Sequence, residues 1–323
     1  MFDFFGIRVS INLFRVSIMN SNLIQEKIEK FLSFLNKEYP DTSIVMYDVG
    51  ARYGIHYLYA ELLKYPNFSV IGFEPDEAEA SKLNENNMSG IRQTFPVALA
   101  ESEGTRTLYI TKHPACSSLY PPNTKILSDY LISDLLEVVD TRLIDTISLD
   151  EFIDKFEVAK PHYLKLDIQG AEYDVLKGGK SALTNNIVGI FLETHLQEIY
   201  HGAGLFSDIH NLLTQLCFKL IYCQYNPNLG GEIVELDVAY VKNIQSLNTT
   251  IDIMRAIMFC LVHSNLEFAA NIVRGSILDE TKKMSILEIL EQPLHLQERV
   301  VDSEDLYINS KVELRKIQED WWK

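Results

Sequence analysis

Continuous apolar runs and helically spaced apolar positions alternate along this 323-residue chain. The runs Ile44–Tyr47, Phe68–Phe73, Tyr163–Leu166 and Ile187–Leu192 have the length and continuity of strands covered on both faces. Between them the spacing turns helical. Ile24, Ile28, Phe31, Leu32 and Leu35 make one stripe of a helix over Asn22–Tyr39, with Asn22 and Gln25 as a capping pair and Pro40-Asp41 as its stop. Ile55–Leu63 has helical spacing too, and Pro75-Asp76 opens a helix reaching about Asn86, followed by a turn over Asn86–Gly90. A third strand is predicted over Ile91–Leu99, then a hairpin turn at Glu101–Gly104 and a returning strand at Thr105–Ile110. Val138–Ile147 reads as a strand, Ser148–Glu151 as a capping box, and Ala171–Lys177 as a helix stopped by Gly178-Gly179. Ser207–Leu216 is helical, and Phe218–Cys223 with Leu236–Lys242 reads as a hairpin across the 226–231 loop. Thr250–Arg274 and Met284–Glu291 are two further helices, before Pro293 and a polar tail ending in Trp321-Trp322. Strand–helix alternation of this kind predicts an α/β fold with a mostly parallel sheet and helices on both faces.

The stretch Ile44–Gly54, I-V-M-Y-D-V-G-A-R-Y-G, gives that pattern a chemical centre. A buried strand ends at Asp48, two glycines follow, and the next strand ends at Glu74. Glycine lets a ligand approach the backbone at such a turn, and a helix starting there offers unpaired N–H groups. Glu74 is placed to accept hydrogen bonds from ribose hydroxyls. These features suit any nucleoside-bearing cofactor. The pattern G-x-G-x-x-G is absent, and a carboxylate at Asp48 suits an ammonium or sulfonium cation better than a pyrophosphate. That favours S-adenosylmethionine over NAD. An ordinary α/β crossover with a surface acid is the plainer alternative.

Composition narrows the class. The hydrophobic fraction is 47% and the charged fraction 23%, as in globular proteins. A formal net charge of −16 argues against nucleic acid as a partner. Cys116, Cys217, Cys223 and Cys260 form no C-x-x-C pair, and Cys217 and Cys223 flank an apolar run where reduced core thiols are common. A reducing, cytoplasmic compartment without a zinc site is therefore expected. No transmembrane segment is visible. Met1–Asn20 is apolar but carries Asp3, Arg8 and Arg15 and reads as a poor signal peptide.

Two more acids stand at predicted strand ends: Asp167, and Glu193 with His195 two residues on. Open α/β sheets bind ligands outside the carboxyl ends of their strands. The Glu193–His195 pair could act as a general base or help hold a metal, or His195 could be a hydrogen-bonded loop residue. An Asp, a Glu and a His from different strands do not by themselves specify a metal. No metal ligands are assigned, and a divalent ion stays an unsupported option. Glu172 either favours the helix dipole or takes part in catalysis. Ser117-Ser118-Leu119 either offers hydroxyls to a ligand or satisfies a turn.

Four pieces together resemble the FkbM family of S-adenosylmethionine-dependent methyltransferases. They are Asp48-Val49-Gly50-Ala51 with Gly54, Phe73-Glu74-Pro75, Lys165-Leu166-Asp167-Ile168-Gln169-Gly170-Ala171-Glu172 with Val175-Leu176-Lys177-Gly178, and the strand ending at Glu193. Phe95–Ala100 and Ser117-Ser118-Leu119 are weaker matches, and the likeness covers about Ile44–Asn243. It implies a Rossmann-like class I methyltransferase sheet of seven strands and methyl transfer to a hydroxyl, many members acting on sugars or secondary metabolites. Ala51-Arg52-Tyr53 is bulkier than the glycine loop of the wider class.

On this reading Asp48, Gly50 and Gly54 hold the methionine part, Glu74 the ribose, and Ala98 lies beside the adenine; Ala51 and Pro75 complete the cofactor-binding set. A neutral alcohol needs a base, and Asp167 and His195 are the candidates, with Glu193 orienting His195 or binding the acceptor. His56 is a weaker candidate for the acceptor side. The acceptor is a hydroxyl-bearing small molecule or glycan. An NAD-dependent Rossmann enzyme and an inactive scaffold of the same fold are the alternatives.

Three parts follow: an N-terminal helical extension (1–43), the methyltransferase domain (44–243) and a C-terminal helical appendage (244–323). The appendage's apolar face, Met254, Ile257, Met258, Leu261 and Val262, needs cover. The core or a second copy would supply it, which makes a homodimer through these helices an option.

Overall fold

The computed structural model describes residues 23–85, 90–128, 130, 132–225 and 232–291. The apolar leader, the Asn22 cap, most of the Asn86–Gly90 turn, the 226–231 loop and everything beyond Glu291 lie outside them. In chain order the strands are β1 (Ile44–Val49), β2 (Phe68–Phe73), β3 (Gln93–Phe95), β4 (Ala98–Ala100), β5 (Gly104–Thr111), β6 (Val138–Ser148), β7 (Tyr163–Leu166), β8 (Gly189–His195), β9 (Phe218–Tyr225) and β10 (Glu235–Lys242). The helices are α1 (residues 23–38), α2 (Glu77–Glu85), α3 (Thr124–Leu127), α4 (Leu149–Lys155), α5 (Glu172–Gly178), α6 (Lys180–Asn185), α7 (Phe206–Gln215), α8 (Thr250–Val262), α9 (Leu266–Gly275) and α10 (Glu280–Glu291).

Seven strands form one sheet in the order β3-β2-β1-β7-β8-β10-β9. The first five of these run parallel, and β10 is antiparallel to both β8 and β9. The chain leaves β1 to build β2 and β3 on one side, then returns to place β7 on the other. That reversal opens a crevice at the carboxyl ends of β1 and β7.

Alternation along the strands sorts the core into two layers. Ile44, Met46, Tyr163, Phe191, Ala239 and Val241 face one side and pack with residues of α1, α8, α9 and α10. Val45, Tyr47, Val49, Leu164, Ile190, Leu192 and Val238 face the other, against α4 to α7. Helix α8 lies close on the sheet because β8 opens with glycine: a Cβ at Gly189 would come within 2.4 Å of the Phe259 ring. The α8 residues that raised the prospect of a second copy are all buried by this chain itself.

Several elements depart from expectation. The run Ile91–Leu99 splits into β3 and β4, which join different sheets. No hairpin joins β4 to β5; in a three-stranded sheet of order β4-β6-β5, β6 lies between them. Residues predicted as an α-helix after the glycine turn form a 3-10 helix over Tyr57–Lys64 instead. The long helix over Thr250–Arg274 breaks between α8 and α9, where Ser264 adopts a left-handed conformation (φ 58°) and Asn265 caps α9. Glu193 and His195 lie inside β8 rather than beyond its end. Cys217 and Cys223 are exposed, Cys217 in the turn before β9 and Cys223 in β9, the sheet's edge strand; all four thiols are free. Among the described residues no helix is long and apolar enough to cross a membrane.

Candidate functional site

A cleft of about 260 Å³ opens at the carboxyl ends of β1, β2 and β7. Of the predicted site residues, Gly50, Glu74, Pro75, Ala98 and Asp167 line it together, with Arg52, Ser117, Ser118 and Gln169. Asp48, Ala51, Gly54, Glu193 and His195 do not line it. Gly50 is the hinge of the arrangement. Its φ is +83°, and a Cβ there would sit 2.0 Å from the carbonyl oxygen of Asp167. Only glycine lets the turn after β1 close against the end of β7. Glu74 is buried, and its Oε1 accepts the Asp76 N–H at 2.9 Å and Arg52 Nη2 at 3.4 Å. Burial pushes the Glu74 carboxyl up, with the Asp76 N–H and Arg52 opposing.

The helix N-terminus expected to offer free N–H groups is not present in that form. His56 caps the 3-10 helix and accepts from Leu58 N–H. Burial pushes the His56 imidazole down to about 4. Its ring centroid is 5.1 Å from that of Phe191, which places it among core aromatics.

Asp48 has a different partner from the one expected. It is wholly buried, and Lys165 Nζ lies 3.0 Å from its Oδ1. The same ammonium donates to the Gly50 carbonyl at 3.2 Å and lies 3.6 Å from Asp167 Oδ2. Burial alone would push Lys165 down; the adjacent Asp48 and Asp167 carboxylates outweigh it and hold the ammonium charged. The cation that Asp48 needs is therefore supplied from within the chain.

Register explains why acids gather here. Asp48 pairs with Lys165 across β1 and β7, Asp237 with Glu193, and Glu235 with His195 across β8 and β10. Residues two apart share a face, so Asp48, Lys165, Glu193, His195, Glu235 and Asp237 occupy the same side of the sheet. Burial, then Asp167, Glu235, Glu172 and Asp237, push the Glu193 carboxyl well above the usual range. Asp237 is pushed up to about 6 by burial and by Asp167 and Glu235. Glu235 and Asp237 escaped the sequence reading because they open an antiparallel strand and belong to no motif. Only the cross-strand pairing with β8 exposes them.

Gln169 also escaped. It sits at φ 57°, a region that non-glycine residues enter at some cost. From there its Nε2 donates to Glu193 Oε1 at 2.7 Å and to Asp167 Oδ1 at 3.2 Å. Its Oε1 accepts from the Tyr200 hydroxyl at 2.8 Å. Glu172 is buried and locks the same loop: its two oxygens accept the Ile168 and Gly170 N–H groups at 2.8 and 2.9 Å. Ser118 donates to the Gln169 carbonyl and Ser117 accepts the Thr111 N–H, so both hydroxyls tie backbone while facing the cleft.

A sequence model of the FkbM methyltransferase domain matches residues 48–220, more than half of the chain. The chain belongs to the FkbM methyltransferase family. It is 26% identical over 152 residues to the hexuronic acid methyltransferase AglP of Haloferax volcanii, an alignment covering 47% of this chain and 56% of AglP. It is 27% identical over 181 residues to the 2-O-methyltransferase NoeI of Sinorhizobium fredii, covering 52% of this chain and 70% of NoeI. The chain thus spans just over half the length of AglP. Among solved structures, the FkbM methyltransferase of Methylobacillus flagellatus KT superimposes with a TM-score of 0.38 at 17% identity, covering 62% of this chain and 44% of that one. Within the family domain fall Gly50, Glu74, Asp167, Gln169 and Glu193. The acids of β10 lie beyond its end.

Proposed function

We propose that this chain is an S-adenosylmethionine-dependent O-methyltransferase acting on an uncharged, hydroxyl-rich acceptor such as a saccharide. The observation that carries this reading is the meeting of Gly50, Glu74 and Asp167 in one cleft, in a chain of a methyltransferase family. The donor set fits the cofactor. Gly50 leaves the cleft floor bare of side chain for the methionine part. Glu74 would take the ribose hydroxyls, exchanging its bond to Arg52. Pro75 and Ala98 would flank the base. Asp48, Ala51 and Gly54 would act at one remove, by shaping the turn. When bound, S-adenosylmethionine supplies a methyl group already activated on a sulfonium sulfur.

The chain's task is then to hold the acceptor hydroxyl in line and take its proton. Orientation of this kind is worth up to about 7–11 kcal/mol in ideal cases. Asp167 lines the cleft with its side chain 41% exposed, and Lys165 and Gln169 hold its carboxylate from two sides. It takes the part of the base: its carboxylate receives the hydroxyl proton as the oxygen gains the methyl group. His195 is only 2% exposed and would not reach an acceptor; Glu193 acts through Gln169.

Asp167 lines the cleft, and Glu193, Glu235 and Asp237 lie close together nearby without lining it. Like charge disfavours a carboxylated sugar there. A hexuronic acid, the acceptor in AglP's name, fits beside Asp167 less well than an uncharged sugar hydroxyl, and NoeI's name specifies 2-O-methylation. Transfer of a labelled methyl group to a panel of neutral glycosides and matched uronic acids tests this. The neutral acceptors should be methylated, and Asp167→Asn should lose about 100-fold or more of turnover while still binding the cofactor. Methylation of the uronic acids alone, or full turnover by the variant, would overturn the assignment.

A further inference from the structure

We propose that Glu193, His195 and Glu235 form a binding site for one divalent transition-metal ion of the manganese or zinc class, bridging β8 and β10 behind the cofactor cleft. One donor atom from each residue lies within 4.8 Å of the other two. A metal with bonds of about 2.0–2.2 Å holds neighbouring donors roughly 3.0–3.6 Å apart, so the His195 nitrogen already stands near that distance from both carboxylates, and closure draws the two carboxylates together by about 1–2 Å.

Two independent observations point to a ligand. The first is His195 Nε2. The residue is 2% exposed, and this nitrogen has no hydrogen-bond partner. It faces Glu235 Oε2 at 3.7 Å and Glu193 Oε1 at 3.9 Å, too far for hydrogen bonds to either. A buried imidazole nitrogen aimed between two carboxylates is costly unless a proton or a metal lies between them. The second is charge. Glu193 lies among Asp167, Glu172, Glu235 and Asp237, while Lys165 is already engaged by Asp48 and the Gly50 carbonyl.

The supporting shell is also in place. Metal-ligating carboxylates are oriented by hydrogen bonds of their own, and Gln169 Nε2 donates to Glu193 at 2.7 Å. The cross-strand pairing of His195 with Glu235 fixes both on the same face. One imidazole with two carboxylates suits manganese or zinc better than magnesium or calcium, which prefer oxygen-only sets. Three protein donors leave further coordination positions open, close to the Gln169 side of the cleft.

The test is direct binding on the full chain after removal of metal with a chelator. Calorimetric titration with Mn²⁺ and, separately, Zn²⁺ should show one site per chain, with a rise in Tm on saturation. His195→Asn and Glu235→Gln should each weaken binding at least 100-fold, and the surface variant Asp145→Asn should leave it unchanged. Circular dichroism of each metal-free variant shows whether it is folded, and Glu235, at the strand's edge, keeps the test usable if the His195 variant is not. Because the readout is metal binding, failure of the methyl-transfer reading would leave it intact. Absence of saturable binding below 1 mM, or unchanged affinity in both variants, would overturn the site.

Discussion

Lys165 is the residue on which both halves of the cleft depend, and its loss has a calculable consequence. The side chain is 6% exposed, its carboxylate partner Asp48 is 0% exposed, and the same ammonium holds the Gly50 carbonyl. Lys165→Met keeps the aliphatic stem and removes the charge. Asp48 is then left buried without its cation, a situation that costs about 3–5 kcal/mol. For a domain of this size each kcal/mol lowers Tm by roughly 2–4 °C, so a fall of about 6–20 °C is expected. Removing the acid as well takes away the unpaired buried charge. The double variant Lys165→Met with Asp48→Leu replaces a buried pair by apolar volume, a change that is often neutral. It should therefore be more stable than Lys165→Met alone. Differential scanning calorimetry of the wild type, both single variants and the double variant closes this cycle. A loss below about 1 kcal/mol in Lys165→Met, or additive effects in the double variant, would refute the argument that a desolvated pair holds the β1 turn to β7.

Gly189→Ala should destabilise the chain by about 1–3 kcal/mol, since its Cβ would press into Phe259, which is wholly buried; chemical denaturation measures this. Gln169→Ala should leave cofactor binding intact but cut turnover, by freeing Asp167 and Glu193, and Gln169→Glu should not restore it because it adds a fifth acid to Asp167, Glu193, Glu235 and Asp237. His162 accepts the Val45 N–H through Nδ1 at 3.0 Å, and burial pushes it down to about 3. Its folded value lies below its unfolded one, so its contribution is complete above pH ~6.5 and is lost as pH falls toward about 3, at up to ~1.4 kcal/mol per pH unit. Denaturation at pH 7 and pH 5 should show a smaller acid loss in His162→Asn than in the wild type.

The sheet was legible because buried parallel strands write themselves as unbroken apolar runs, as at Tyr163–Leu166, which matches β7 residue for residue. The family motif located Gly50, Glu74 and Asp167 for the same reason: they stand where strands end. Local sequence misled where tertiary contacts decide. Ile91–Leu99 reads as one strand, yet its ends pair with β2 and with β6. Asp48 reads as a hook for an external cation, because its true partner lies 117 residues away. With that cation accounted for, the choice of S-adenosylmethionine over NAD rests on family membership and on the missing third glycine. His195 read either as a base candidate or as a loop residue because β8 outruns its apolar core, carrying polar groups inward over its last residues.

Calorimetric titration of the purified chain with S-adenosylmethionine, in parallel with NAD and repeated on Glu74→Ala, tests the central claim most directly. The account predicts saturable binding of S-adenosylmethionine alone, at least 10-fold weaker in the variant. Binding of NAD alone, or equal binding of S-adenosylmethionine by wild type and variant, would contradict it.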